Sequence, residues 1–203
     1  MGTSLRYDKW LLELTQLPTA AGCEQHVTDW VRSWARRRKG VTLKADRFGN
    51  LLLERRGSRS KRPIIFTAHM DHPAFVVTEQ MEDRRVRAEF RGGVFDAYFV
   101  GSKVRLHPRE GLASVGVIKK LEPARSDSGD RSVVVVFRSR VNAAPGDIMT
   151  WHIGSARIQG DQLRAPACDD LAGVAAALAA FDVLGPSSRR LGLDVRVLLT
   201  RAE

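Results

Sequence analysis

The chain has 203 residues and 43% apolar content, enough for a packed core in one domain or two small ones. Its net charge is +10, but the basic residues are spread out and not interleaved with aromatics, which argues against a nucleic-acid-binding module. Two distant cysteines, Cys23 and Cys168, no apolar leader and no run long enough to span a bilayer argue against a disulfide-stapled secreted protein or a membrane protein, and point to the cytoplasm.

Taken in order, Leu5, Trp10, Leu11, Leu14 and Leu17 fall at helical spacings, with Thr3 or Ser4 as a possible cap and Pro18 as the stop. A second helix is predicted over Gly22 to Arg38, with Val27, Trp30, Val31 and Trp34 on one face and Gly40 beyond its end. The tryptophans suit a core better than a ligand platform. The run Arg36-Arg37-Arg38-Lys39 closes this helix, where cations complement the helix dipole. A strand over Val41 to Ala45, a turn over Asp46 to Asn50 and a returning strand over Leu51 to Arg55 follow, then a polar loop over Gly57 to Arg62. Ile64 to His69, opened by Pro63, reads as a buried strand.

From Ala74 the character shifts to short β-type runs separated by Gly, Pro and charged turns. Examples lie at 74–78, 86–90, 102–106, 115–118 and 132–137, with a polar loop over Glu122 to Arg131; such a pattern predicts a small barrel or sandwich. Asp170 to Leu184 reads as an alanine-rich helix, apolar all round and therefore buried against a sheet. Leu193 to Glu203 reads as a further core-type strand that finishes in a carboxylate. The predicted fold is α/β, a mixed sheet flanked by helices, with an inserted all-β barrel-like domain. The boundaries read as 1–73 for the first part of the α/β domain, 74–160 for the insert and 161–203 for the second part.

Three stretches carry chemistry. In Ala68-His69-Met70-Asp71-His72, the i, i+2 spacing puts His69 and Asp71 on one side of a strand end, where α/β sheets bind ligands. A neutral imidazole with a carboxylate to orient it suits a metal site, although a solvated turn would use the same residues. In Cys168-Asp169-Asp170, two adjacent acids at a helix start exceed what one cap needs, so one could cap while the other bridges cations. The third is the acid Glu203 at the end of the last strand.

In this order the three stretches resemble the glutamyl and deblocking aminopeptidases that form tetrahedral particles, a family of two-metal peptidases. Asp46-Arg47-Phe48-Gly49-Asn50-Leu51 and Gly146-Asp147 are similar to the family as well. The resemblance implies hydrolysis of N-terminal residues from peptides. It makes His69 a terminal ligand, Asp169 the carboxylate bridging two divalent ions, Asp71 the residue that orients His69, and Glu203 the general base. Zinc suits these donors, with cobalt or manganese also compatible. Asp170 is left as a cap or structural acid, His72 as a pocket residue or variant, and Leu171 stands where relatives often carry arginine. The insert would support a homo-oligomer, from dimer to dodecamer, with peptides as substrates and neither nucleic acid nor membrane as partner. One His and one Asp do not close a two-metal site. The chain is therefore expected to be a fragment carrying part of the site, with an inert assembly module of the same family as the alternative.

Overall fold

The computed structural model describes residues 2–55, 62–123, 131–188 and 192–202, with the backbone alone at 2–5 and 186–188. In chain order the elements are α1 (Gly2–Leu14), α2 (Gln25–Arg36), β1 (Val41–Ala45), β2 (Leu51–Arg55), β3 (Ile64–His69), β4 (Ala74–Glu82) and β5 (Arg85–Arg91). A 3-10 turn (Asp96–Tyr98) precedes β6 (Lys103–His107), β7 (Ser114–Glu122), β8 (Arg131–Phe137) and β9 (Ile148–Trp151). Then come β10 (Arg157–Gln159), β11 (Gln162–Arg164), α3 (Cys168–Ser188) and β12 (Val195–Thr200). They form two compact units. One takes the chain up to Leu17, Glu24–Asp71 and the chain from Ser155 onward; the other takes Pro18–Cys23 and His72–Gly154.

The first unit holds a mixed four-stranded sheet in the order β1-β2-β12-β3. β12 alternates buried and half-buried residues, with Val195, Val197 and Leu199 inward, as a strand covered on one face should. Those side chains pack with Leu51 and Leu53 of β2, Leu171, Val174, Leu178 and Phe181 of α3, and Trp10, Val31 and Trp34 of α1 and α2. Trp10 and Trp34 are thus core residues, as their spacing predicts. Asp182 of α3 ties the helices together: it pairs with Arg6 at 2.8 Å and Arg38 at 2.9 Å and accepts a hydrogen bond from Tyr7 Oη at 3.1 Å.

The second unit is a closed barrel in the order β4-β5-β8-β7-β6-β9. Phe75, Phe90, Phe99 and Trp151 meet in its interior, edge-to-face except for the tilted Phe75–Phe90 pair, with ring centroids 4.9–6.0 Å apart. An α/β unit with an inserted all-β barrel is the architecture that the pattern of runs predicts.

Four local expectations differ from what forms. The second helix starts at Gln25, not Gly22, because Gly22 takes φ +80 and the Glu24 carboxylate bonds elsewhere instead of capping. β3 is less buried than its composition suggests: Ile64 is 44% and Ile65 48% exposed, because β3 is an outer strand of the described sheet. The strands β9, β10 and β11 are too short to stand out as apolar runs. The last strand stops at Thr200, for a reason that lies in the site. The predicted loops at 57–62 and 122–131 fall largely outside the described residues.

The turn between β1 and β2 is built on Asp46. Its carboxylate accepts from the Asn50 side-chain amide at 2.8 Å and from the backbone N–H of Phe48 and Asn50 at 2.8 and 2.9 Å. These bonds, the Asn50 side-chain amide first among them, hold the Asp46 pKa below the ordinary carboxylate value. A depressed carboxylate pKa contributes order that is fully present above the unfolded-state value and is lost as pH falls through the folded one. In an NMR titration the Phe48 and Asn50 amides are therefore expected to shift with a midpoint below that of an unperturbed aspartate. Asp46→Asn should abolish the transition; an ordinary midpoint would contradict the bonding described.

Candidate functional site

β12 lies parallel to β3, and their register pairs Thr200 with His69 and Leu199 with Ala68. Both strands therefore end at the same edge, and the Met70 N–H donates to the Thr200 carbonyl at 2.9 Å. The start of α3 meets this edge from the other half of the sequence. The Asp169–Asp170 peptide is cis, and both residues have non-helical dihedrals, so regular helix begins at Leu171.

His69 sits between two carboxylates. Its Nδ1 is 3.3 Å from Asp71 Oδ1, an ion-pair distance without hydrogen-bond geometry, and its Nε2 is 3.2 Å from Asp169 Oδ1. The His69 and Asp71 side chains are mostly buried, at 17% and 9% exposed, whereas Asp169 is 91% exposed. A neutral imidazole has a single N–H. With the proton on Nε2 the ring donates to Asp169; with it on Nδ1 the Nε2 lone pair faces a carboxylate lone pair, and a metal ion between them makes that contact favourable. The spacing also fits a metal. Two donors on one tetrahedral zinc, each at about 2.0–2.1 Å, lie roughly 3.3 Å apart. His69 and Asp169 could thus share one ion, with Asp71 fixing the tautomer from behind. Among the described residues no group of three or more His, Cys, Asp or Glu side chains forms a metal cluster.

The sequence-predicted residues divide accordingly. His69, Asp71 and Asp169 are brought together. Asp170 lies against the same strand: its Oδ2 accepts the His69 backbone N–H at 3.2 Å. Glu203 lies outside the described residues. The remaining histidines that match no motif include His107, whose Nε2 is 2.9 Å from Thr150 Oγ1, and His152, whose Nδ1 is 3.5 Å from an Arg105 nitrogen; both pairs belong to the barrel. A groove of about 840 Å³ lies elsewhere in the first unit, lined by residues that include Arg6, Trp10, Trp30, Trp34 and Asp182. It contains none of the groups gathered around His69.

Sequence reasoning missed the residues that hold the chain just before Glu203. Arg201 and Ala202 leave the sheet because their backbone N–H groups donate to side chains: Arg201 to Asn50 Oδ1 at 3.0 Å, Ala202 to Glu24 Oε1 at 3.1 Å. The Arg201 guanidinium pairs with Glu24 Oε2 at 2.6 Å and donates to the Phe48 carbonyl at 3.2 Å. Gly49, at φ +88, lies so close beneath it that a β-carbon would come within 2.6 Å of the guanidinium. Ala202 takes φ +49, a left-handed conformation unfavourable for alanine. No local signal marks Glu24 for this role, since Arg201 is 177 positions away.

Comparison with known proteins shows the family of the chain. Residues 49–203 match the family described as M42 glutamyl aminopeptidase. An aminopeptidase from the archaeon Desulfurococcus kamchatkensis is similar at 25% identity and a TM-score of 0.74, over 97% of this chain and 56% of that one. A TET peptidase from Pyrococcus horikoshii that can assemble into a tetrahedron or a large octahedral shell is similar at 22% identity and 0.73, over 97% and 61%. A protein from Thermotoga maritima described as an endoglucanase is similar at 25% identity and 0.69, over 95% and 59%. No curated protein matches. The chain spans a little over half the length of these solved relatives. The match over 49–203 includes β3, the barrel, the start of α3 and β12, and by it the chain belongs to the M42 glutamyl aminopeptidase family.

Proposed function

We propose that the protein is a metal-dependent aminopeptidase that removes N-terminal residues from peptides by a two-metal mechanism, and that the described residues supply part of its site. The observation that carries this reading is His69 set between Asp71 and Asp169, with the exposed carboxylate on the open side. His69 would hold one ion as a terminal ligand, and Asp169 would be shared between the two. Zinc suits these donors, with cobalt or manganese also compatible. When bound, such ions supply Lewis acidity toward the scissile carbonyl and toward water.

The protein's own groups do the rest. Asp71, 3.3 Å from Nδ1, would orient the His69 ring and leave Nε2 as the donor atom. Glu203 takes a proton from the attacking water and passes it to the leaving amine. The barrel supports assembly into a homo-oligomer, as does the likeness to a peptidase that forms closed shells. The proposed location is the cytoplasm; among the described residues no helix is long and apolar enough to cross a membrane. The alternative is that the chain is an inert assembly module, and it draws on the described residues offering only two direct donors.

The test is hydrolysis of aminoacyl anilides by the purified chain after loading with zinc or cobalt, beside N-acetylated anilides and carboxymethyl cellulose. At most feeble turnover of the free-amine substrate alone, lost on chelation and lost in Glu203→Gln, is the expected result, and strong turnover would mean that the site completes itself. Bound metal without turnover would favour the inert module. Cleavage of the cellulose would overturn the peptidase reading.

A further inference from the structure

Two aspartates open α3, and only Asp169 reaches the His69 ring. Asp170 does something else with the same strand. In a β-strand successive N–H groups point to opposite sides, and the Met70 N–H is taken by Thr200 of β12. The His69 N–H therefore points away from β12, to the side where the described sheet has no further strand. There Asp170 Oδ2 accepts it at 3.2 Å, in the place of a neighbouring strand's carbonyl.

The other carboxylate oxygen is folded back over the first turn of α3. A β-carbon at Gly173 would collide with Asp170 Oδ1 and lie 2.6 Å from its Cγ, so no residue but glycine leaves the carboxylate where it is. Gly173 has no unusual backbone dihedral that would call for glycine. Within a helix, alanine is the better residue by propensity alone. The close approach of Asp170 is thus the need for glycine that the described residues show.

We infer that Asp170 is a positioning residue: it anchors the end of β3 to the start of α3 and thereby sets the separation of His69 from Asp169, with Gly173 making room for it. This deepens the metal-site reading and rests on it. Asp169 and Asp170 are consecutive, so a carboxylate fixed to the His69 backbone also fixes where the neighbouring carboxylate stands relative to the His69 ring. Groups that hold metal ligands in place commonly carry about 10–100-fold of the metal affinity.

The experiment uses the full chain and four variants: Asp170→Ala, Asp170→Asn, Gly173→Ala and the double Asp170→Ala/Gly173→Ala. Cobalt(II) is titrated while its visible absorption is followed, and exchange of the His69 backbone amide is measured by NMR without metal. Asp170→Ala and Gly173→Ala are each expected to weaken cobalt binding about 10–100-fold, to alter the absorption band and to speed His69 amide exchange. Asp170→Asn should restore most of both, since its amide oxygen can accept the same bond. The double variant should be no worse than Asp170→Ala alone, because Gly173 acts only through Asp170. Gly173→Ala should nevertheless unfold at no lower temperature than the parent, which separates positioning from folding. Unchanged cobalt affinity and unchanged His69 exchange in Asp170→Ala would overturn the inference. If the parent takes up no cobalt, the metal reading fails; the amide exchange then decides by itself whether Asp170 holds the strand end.

Discussion

His69→Ala is expected to raise the dissociation constant for zinc or cobalt more than about a hundredfold, beyond the range typical of groups that only support a ligand. Two carboxylates converge on this one ring, so its loss removes a donor and leaves Asp71 and Asp169 with nothing between them. Asp169→Ala should be as severe for metal, yet cost little stability, because the side chain it removes is almost wholly in solvent. Asp71→Asn should fall between, at about 10–100-fold, since it removes the negative charge beside Nδ1 that orients the ring. Competition against a chromophoric chelator measures all three. Parent-like affinity in both His69→Ala and Asp169→Ala would remove the metal site from this edge of the sheet.

The second large effect is on stability. Glu24 is wholly buried, and its two oxygens serve the Arg201 guanidinium and the Ala202 N–H. Breaking a buried pair by deleting one partner costs about 3–5 kcal/mol, chiefly because the remaining charge is stranded. Arg201 keeps 31% of its side chain in solvent and can recover some hydration, which places Glu24→Ala at the lower end, about 3 kcal/mol. Glu24→Gln keeps the shape and an acceptor, and about 1–2 kcal/mol is expected. Urea unfolding monitored by tryptophan fluorescence reports the difference well, because Trp10 and Trp34 lie in the same core. A loss below about 0.5 kcal/mol in Glu24→Ala, the usual range for a surface change, would show that the 201–202 bend is not held from Glu24.

These two residues mark what could and could not be read in the chain. The β1–turn–β2 ribbon was legible at 41–55 because strand propensity and the Asp46 turn are both local. The apolar stripe of α2 followed from a period of 3.6, and the barrel from repeated short runs between turns. The His69–Asp71 pair was legible because a strand has a period of two, and that sets a side chain's direction without knowledge of its neighbours. The same logic failed where burial depends on neighbours: Ile64 and Ile65 look like core and are half exposed.

The sequence by itself determined the class of fold, an α/β unit interrupted by an all-β barrel, and the residue types that could hold a cation, because periodicity and side-chain chemistry are local properties. Only the tertiary structure decided how those residues meet. The parallel register of β3 and β12 brings two strand ends to one edge. Asp169 closes on a histidine a hundred positions away. Glu24 and Asn50 take the N–H groups that would otherwise have continued β12. Each of these contacts depends on a packing geometry that no short window of sequence contains, since a buried donor or acceptor is satisfied by whichever partner the fold brings within about 3 Å.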